Sequence, residues 1–322
     1  MRPFIDFHCD TLMMFYKGSD NVSLYQNDRM LDIVRMKQSG QSAQFFATFM
    51  PASEHLLARG VTDEEYRANL YAGLMQSIKE HPDDIAFARS FADYEANRKA
   101  GKISAFLTFE DGRLVEGSME KLEQFYEMGY RLITLTWNYI NCFGYPNSTD
   151  PDIMTKGLTD FGKEAVLRMN ELGIIVDVSH LSDGGFWDVA SIAKKPFVAS
   201  HSCARALTPH TRNLSDDMLK KVGETGSLVG VNFCPEFVGE TITSRVSSLK
   251  RICDHIEYMA QKAGIESVGI GSDFDGIGGE LEVGQPTDIP HIFDELSRRG
   301  FTDDAIDRIA YKNAERVMRE CL

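Results

Sequence analysis

Short apolar runs alternate with longer segments of helical period along the whole chain, and this alternation restricts the fold more than any other feature. The runs are almost continuously apolar, as expected for parallel strands that are covered on both faces. Two of the helical segments stop at glycines, Gly173 and Gly264, which are typical residues after a helix C-terminus. Eight runs are strand candidates: Phe4–His8, Ala43–Phe49, Ile103–Phe109, Leu132–Thr136, Ile174–Ser179, Phe197–Ser200, Leu228–Phe233 and Val268–Ser272. The pattern predicts an α/β fold built on a parallel sheet.

Two architectures fit eight such strands: a closed (β/α)₈ TIM barrel and an open doubly wound sheet. Periodicity alone does not separate them. A chain of 322 residues is long enough for two domains, but barrels of this length are also common. We predict one barrel domain over residues 1–322, with a helical insertion around 62–100 between the second and third strands.

Charge and cysteine content narrow the possible functions. The chain carries 34 basic and 48 acidic residues, a net charge of -14, which disfavours binding to nucleic acids and to anionic membranes. The six cysteines are scattered without a CxxC pair, as in proteins of a reducing compartment. No secretory signal pattern and no apolar run of membrane-spanning length is present. The expectation is a cytoplasmic protein.

Ionisable residues stand at the ends of five of the predicted strands. Apolar strands have no packing reason to end repeatedly in such residues, and in a parallel barrel the carboxyl ends of the strands meet at one mouth, where catalysis occurs. The residues are His8, Asp10, Glu110, His180, His201 and Asp273. Their common position favours the closed barrel and predicts one active site built from most of the chain.

These residue types suit a pair of metal ions. Side chains alternate along a strand, so His8 and Asp10 point to the same side while Cys9 points away, and both are suitable zinc ligands. His180 and His201 can supply a second pair of ligands. Two ions about 3.5–4 Å apart share and activate one water.

The two remaining carboxylates have separate predicted roles. Glu110 has two oxygens and can bridge the two ions, whereas Asp273 is placed to accept the proton of the attacking water and to pass it to a leaving amine.

Each residue also has a plain structural interpretation. A single histidine at a strand end is more often hydrogen-bonded scaffolding than a ligand, and Asp111 and Asp275 are candidate helix caps. The metal interpretation rests on the combination. No site role is predicted for the other histidines, His55, His81, His210, His255 and His291.

These residues, in this order, resemble the amidohydrolase superfamily and, more closely, the membrane (renal) dipeptidase family of zinc peptidases. Many amidohydrolases bridge their metals with a carbamylated lysine on the fourth strand, whereas this family uses a glutamate on the third strand, where the chain has Glu110. The matching stretches are FIDFHCDTL at 4–12, LTFEDG at 107–112, DVSH at 177–180, SHS at 200–202, TRN at 211–213 and GSDFDG at 271–276.

The resemblance implies a ligand set and a substrate contact. It implies two Zn²⁺ per chain, one on His8 and Asp10 and the other on His180 and His201, with Glu110 as the bridge and Asp273 as the general acid and base. It also implies that Arg212 pairs with the terminal carboxylate of the substrate, for which a planar guanidinium is well suited. Relatives often form dimers, so a homodimer is a possible state.

Three aromatic or amide residues depart from the family pattern or line its substrate site. Mammalian members carry a histidine at the end of the fourth strand, thought to polarise the scissile carbonyl, where this chain has Trp137 and Asn138. Phe237 stands where those relatives have a tyrosine that contacts substrate. All three are expected in the substrate-binding site, and they put the substrate range in question more than the hydrolysis itself.

The expected function is therefore a binuclear zinc dipeptidase that acts on free dipeptides, including those with a C-terminal D-residue. An amidohydrolase acting on a non-peptide amide, lactam or ester is the alternative, and a metal-free binding protein is disfavoured by the complete ligand set.

Overall fold

Eight parallel strands close into a barrel in the computed structural model, which describes residues 2–17 and 22–322. The first strand pairs with the last, Asp6 opposite Ile270, and the second pairs directly with the third. The predicted TIM barrel is thus confirmed, and the open sheet is wrong. The strands, labelled in chain order, are β1 (Phe4–Cys9), β2 (Gln41–Phe49), β3 (Ile103–Glu110), β4 (Tyr130–Thr134), β5 (Ile175–Asp177), β6 (Val198–Ser202), β7 (Leu228–Val231) and β8 (Val268–Ile270).

Fourteen α-helices of the described residues surround the strands or lie in the loops. They are α1 (Ile33–Ser39), α2 (Ser53–Leu57), α3 (Asp63–Glu80), α4 (Phe91–Lys99), α5 (Met119–Met128), α6 (Pro151–Met154), α7 (Asp160–Leu172), α8 (Asp183–Ile192), α9 (Asp216–Glu224), α10 (Pro235–Val238), α11 (Leu249–Ala263), α12 (Pro290–Arg298), α13 (Asp303–Asp307) and α14 (Asn313–Cys321). Single helical turns span Thr11–Phe15, Gly112–Val115, Ile265–Ser267, Pro286–Asp288 and Arg308–Lys312. Within the described ranges, no helix is both long and apolar enough to cross a membrane.

Local sequence signals account for several helix ends. Gly173 follows α7 in the left-handed region, with φ of 88°, as its position after the apolar stripe predicted. Thr62 begins α3 with a reciprocal capping box, because its hydroxyl accepts from the N–H of Glu65 and the Glu65 carboxylate accepts from the N–H of Thr62.

The region around 62–100 contains the two expected helices, α3 and α4, and one element that was not expected. The segment Ile85–Phe87 forms a three-residue strand that pairs in parallel with β3 outside the barrel. Three residues are too few for a periodic pattern, so the sequence carried no strand signal there.

The barrel interior is filled by apolar side chains below the mouth. Phe7, Phe45 and Phe106 stack on one another with ring centroids 4.8 and 4.7 Å apart. They belong to a cluster that also takes in residues of β4 to β7 and the inner face of α14, which closes the opposite end of the barrel. The interior is therefore a packed core, and the site for a ligand is expected at the carboxyl-terminal mouth.

Candidate metal centre and active site

All six ligand and acid–base candidates meet at the carboxyl-terminal mouth. His8 lies near the end of β1, Glu110 is the last residue of β3 and His201 lies in β6. Two strands are shorter than expected, so His180 and Asp273 lie in the loops after β5 and β8. Both have positive φ, 65° and 64°, an uncommon conformation that is concentrated at functional sites.

Strict alternation along the strands does not explain how two of the histidines reach the mouth. Phe7, the neighbour of His8, belongs to the interior stack, so consecutive residues of β1 both contribute to the inside of the barrel. The pairing of β1 with β2 shifts register between Asp6 and Cys9, and the pairing of β6 with β7 shifts between Ala199 and Ser202, around His201. Such irregularities re-aim side chains next to active sites.

Glu110 faces two groups of side chains, each with a different oxygen, and the groups themselves are in contact where the ring centroids of His8 and His201 are 3.8 Å apart. Its Oε1 is 3.0 Å from Nε2 of His180 and 3.5 Å from Nε2 of His201. Its Oε2 is 3.3 Å from Nε2 of His8. Glu110 is therefore shared by both groups, as a bridging ligand must be.

The distances between donor atoms suit divalent ions in both groups. The Nε2 atoms of His180 and His201 are 3.1 Å apart, and Nε2 of His8 lies 3.6 Å from Oδ2 of Asp10 and 3.7 Å from Oδ1 of Asp273. Ligands held about 2.0–2.2 Å from a tetrahedral ion are roughly 3.3–3.6 Å from one another.

Several buried atoms of the group around His8 have no hydrogen-bond partner among the described residues. They include Nε2 of His8, Oδ1 of Asp10 and Oε2 of Glu110. Buried polar atoms are nearly always paired, so these atoms fit a site that takes a cation.

The charges of the site point the same way. Burial alone would lower the pKa of His8, but the charges of Glu110 and Asp10 raise it well above its usual value. Burial would raise the pKa of Glu110, but the charge of His8 and the close approach of His180 and His201 hold it well below its usual value. The crowded carboxylates therefore favour positive charge at this point, which bound cations supply.

Two of the histidine rings have a hydrogen-bond partner at Nδ1, the nitrogen that points away from the site. Nδ1 of His201 is 2.7 Å from the hydroxyl of Ser200, and Nδ1 of His180 is 3.1 Å from Oδ1 of Asn138. A proton on Nδ1 leaves the lone pair of Nε2 directed into the site, the usual arrangement of metal-ligating histidines. Asn138, expected to contact substrate, is in contact with a ligand candidate.

Asp273 is held by Asn232, a residue that the sequence-based prediction did not include. Nδ2 of Asn232 donates to Oδ2 of Asp273 at 2.9 Å, which leaves Oδ1 facing His8. Burial is the largest influence on Asp273 and raises its pKa to about 6, against the charge of His8. A buried carboxyl that an amide holds by one oxygen can accept and return a proton through its other oxygen. A polar residue directly after the apolar run of β7 was the available signal for Asn232.

Arg212 lies inside the site and is only 6% exposed. Its Nη1 donates to the hydroxyl of Ser202 at 3.3 Å and its Nη2 to the carbonyl of His201 at 3.2 Å, while its buried Nε has no partner among the described residues. The guanidinium stacks on the ring of Phe237, 5.4 Å from its centroid. The imidazole of His210, for which no role was predicted, accepts from the backbone N–H of Arg212 and lies 4.7 Å from the Phe237 ring.

The mouth forms two adjoining cavities of about 350 and 380 Å³. The first is lined by Asp10, Glu110, Asp273 and Trp137, and the second by Arg212 and His210. Trp137 contacts Phe49 edge-on at 4.9 Å, and its ring centroid is 6.1 Å from that of His180. The tryptophan thus forms a wall of the first cavity.

The two candidate caps behave differently. Asp111, with φ of 75°, caps the turn Gly112–Val115 by accepting from the N–H of Arg113, as expected. Asp275 caps no helix in the described part of the chain. It accepts from Thr11 and from the N–H of Met30, and so ties the loop after β1 to the loop after β8.

Comparison with known proteins was made on sequence and on structure. Residues 1–321 match the family model of the membrane dipeptidases, peptidase family M19. An uncharacterized dipeptidase of Schizosaccharomyces pombe is 32% identical over 302 residues, which cover 90% of this chain and 71% of that protein. The dipeptidase ataJ of Aspergillus terreus is 30% identical over 314 residues, covering 90% and 76% of the two chains.

A solved structure of similar fold is a metallopeptidase from Rhodobacter sphaeroides, bound to a phosphinate mimic of the dipeptide L-Ala-D-Ala. It superposes with a TM-score of 0.89 at 24% identity and covers 100% of this chain and 99% of that one. The match of the family model over nearly the whole chain agrees with the barrel and with the ligand-like cluster at its mouth. The chain belongs to the membrane dipeptidase family, peptidase family M19, and is a metal-dependent dipeptidase of that family.

Proposed function

We propose that the chain is a binuclear zinc dipeptidase that hydrolyses free dipeptides, including those with a C-terminal D-residue. The observation that carries the proposal is the orientation of Glu110, one of whose oxygens faces His180 and His201 while the other faces His8. One ion would be held by His8, Asp10 and Glu110, and the other by Glu110, His180 and His201. When bound, two zinc ions would supply Lewis-acid activation of a water molecule and of the scissile carbonyl.

The residues of the chain would carry out the proton transfers. Asp273, oriented by Asn232, is placed to accept a proton from the attacking water. The same carboxyl would then donate that proton to the departing amine, so that it ends the cycle in its starting state.

Substrate orientation would depend on Arg212. Its buried guanidinium is next to His201 and is packed under Phe237, and its N–H groups other than the two that bond Ser202 and His201 have no partner among the described residues. A buried cation without a carboxylate partner suits the terminal carboxylate of a dipeptide, which would lie in the second cavity while the N-terminal residue occupies the first.

The proposed acceptance of D-residues is supported by the ligand of the Rhodobacter sphaeroides protein, a mimic of L-Ala-D-Ala. The second cavity is broad, about 380 Å³, and polar at Asn147, Ser148 and Thr149, so it leaves room for either configuration.

A substrate panel tests the proposal. The zinc-loaded protein is assayed with L,L- and L,D-dipeptides and with the same dipeptides amidated at the C-terminus or acylated at the N-terminus, while metal content is measured by elemental analysis. Two zinc ions per chain and a strong preference for free dipeptides are expected. Equal rates on amidated dipeptides would refute the role of Arg212, and faster cleavage of lactams or esters would favour a non-peptide amidohydrolase.

We also propose that the protein works in the cytoplasm, which is supported by its six free cysteines, five of them buried. Localising a fluorescent fusion in the producing cell tests this, and exclusively secreted material would contradict it.

A further inference from the structure

A buried carboxylate joins two neighbouring strands at each side of the site. On one side Asp6 of β1 accepts from the backbone N–H of Ser272 at 2.9 Å and from its hydroxyl at 2.6 Å. It also accepts from the N–H of His8 at 3.2 Å. Strand β1, which carries His8, is thereby joined to the loop segment that carries Asp273.

The other side repeats this arrangement. Asp177 of β5 accepts from the N–H of Ser200 at 2.9 Å and from its hydroxyl at 2.6 Å. It also accepts from the N–H of Ser179 at 2.9 Å and from the hydroxyl of Thr134 at 2.6 Å. The strand leading to His180 is thereby held to β6, which carries His201.

The two arrangements differ in the residue that comes directly after the serine. Ser200 is succeeded by His201, whose ring turns back so that Nδ1 lies 2.7 Å from the Ser200 hydroxyl oxygen. Ser272 is succeeded by Asp273, which is held by Asn232 instead. Nδ1 of His8 has no hydrogen-bond partner among the residues the structure describes. Only one side therefore links its buried carboxylate to a histidine ring.

The direction of the hydrogen bonds determines the state of that ring. Asp177, as a carboxylate, only accepts, so the single hydroxyl proton of Ser200 is donated to Asp177. The Ser200 oxygen must then accept from Nδ1–H of His201. The proton is kept on Nδ1, and the lone pair of Nε2 remains directed toward Glu110 and His180.

We propose that Asp177 and Ser200 are positioning residues that set the tautomer of His201 and thereby control the affinity of one metal ion, the one held with His180, without controlling the other. This rests on the proposed function only in assuming that the site takes two ions. Partners of this kind behind a ligand typically change metal affinity by about 10–100-fold.

Metal titration of three variants tests the inference without any substrate. Apoprotein is titrated with Zn²⁺ in competition with a chelating dye, which gives two binding constants. Ser200→Ala is expected to weaken one of them by about 10–100-fold. Asn138→Ala, at an exposed position, removes the partner of His180 and should weaken the same constant, so the test does not depend on a single buried substitution.

Ser272→Ala is the matched control, because it loses the same hydroxyl contact with a buried aspartate but no histidine ring. It should leave the constant weakened in Ser200→Ala within about twofold. The inference is wrong if Ser200→Ala changes neither constant, weakens both equally, or is matched by Ser272→Ala. A wild-type protein that binds one ion overturns the proposed pair of ions as well, whereas inactivity on dipeptides with two ions bound counts against the proposed function alone.

Discussion

Gly276 gives a sharp test of the metal centre, because its backbone lies against two of the carboxylates. An ideal Cβ at position 276 would lie 2.1 Å from Oδ2 of Asp10 and 2.5 Å from Oδ1 of Asp273. Gly276→Ala therefore adds one methyl group at the point where those two side chains converge. The backbone at position 276 does not require glycine, because its φ is not positive.

The size of the effect follows from the distances. Cβ atoms essentially never approach another heavy atom closer than 3.0 Å, so Asp10 has to retreat by about 0.9 Å and Asp273 by about 0.5 Å. Metal–ligand distances tolerate only about 0.2 Å. A misplacement of about 1 Å at a reacting group can lower the rate by about 100-fold. Gly276→Ala should therefore lower kcat/KM by about 100-fold or more. It should also lower the affinity of the site for the ion next to Asp10.

The assay is metal content after equilibrium dialysis, together with kcat/KM on a free dipeptide and circular dichroism to confirm folding. Gly278→Ala is the control, since its Cβ would meet nothing within 4 Å and its φ is not positive. It should keep the metal content of the wild type. A folded Gly276→Ala protein with wild-type metal content and kcat/KM would refute the placement of Asp10 at a metal ion and of Asp273 beside it.

Three further predictions address single residues. Asp273→Asn should keep both ions but lose about 10²–10⁴-fold in kcat, because an amide cannot carry the proton, and elemental analysis with steady-state kinetics checks it. Arg212→Lys should lower kcat/KM and reduce the discrimination between free and amidated dipeptides, since an ammonium cannot grip a carboxylate with two bonds. His255 is fully buried, and its burial lowers the pKa of its imidazole from 6.5 to about 3. Between pH 3 and pH 6.5 the unfolded chain therefore binds one more proton than the folded chain. The contribution of His255 to stability is complete above pH 6.5 and falls by about 1.4 kcal/mol per unit as the pH drops toward 3. His255→Asn, whose amide oxygen can replace Nδ1 as the acceptor for the N–H of Ala204, should flatten that slope in urea titrations, and an unchanged slope would contradict it.

The candidate ligands were accessible from the sequence because residue type and position along a strand are local properties. An apolar run that ends in His8 and Asp10, or in Glu110, is legible without any knowledge of its neighbours. The barrel then followed from the number of runs and from their polar ends.

The partners of those ligands were not accessible in the same way. Asn232 holds Asp273 across 41 residues of sequence, and Ser272 contacts Asp6 across 266. Each contact depends on which strands are neighbours around the closed barrel, and β1 meets β8 only because the sheet closes. His210 was given no role for the same reason, since a loop residue gains its neighbours from folding alone.

The orientation of the rings was also decided by the tertiary structure. Side-chain alternation predicts that His8 and Asp10 share a face, yet the chain brings Phe7 inside the barrel as well by shifting the register of β1. The sequence by itself determined the barrel, the family and the chemical identity of the candidate metal ligands, because these depend on residue type, on periodicity and on the order of the polar residues at the strand ends. Only the folded chain decided which atom of each group faces the site, because that depends on hydrogen bonds between strands that are distant in sequence.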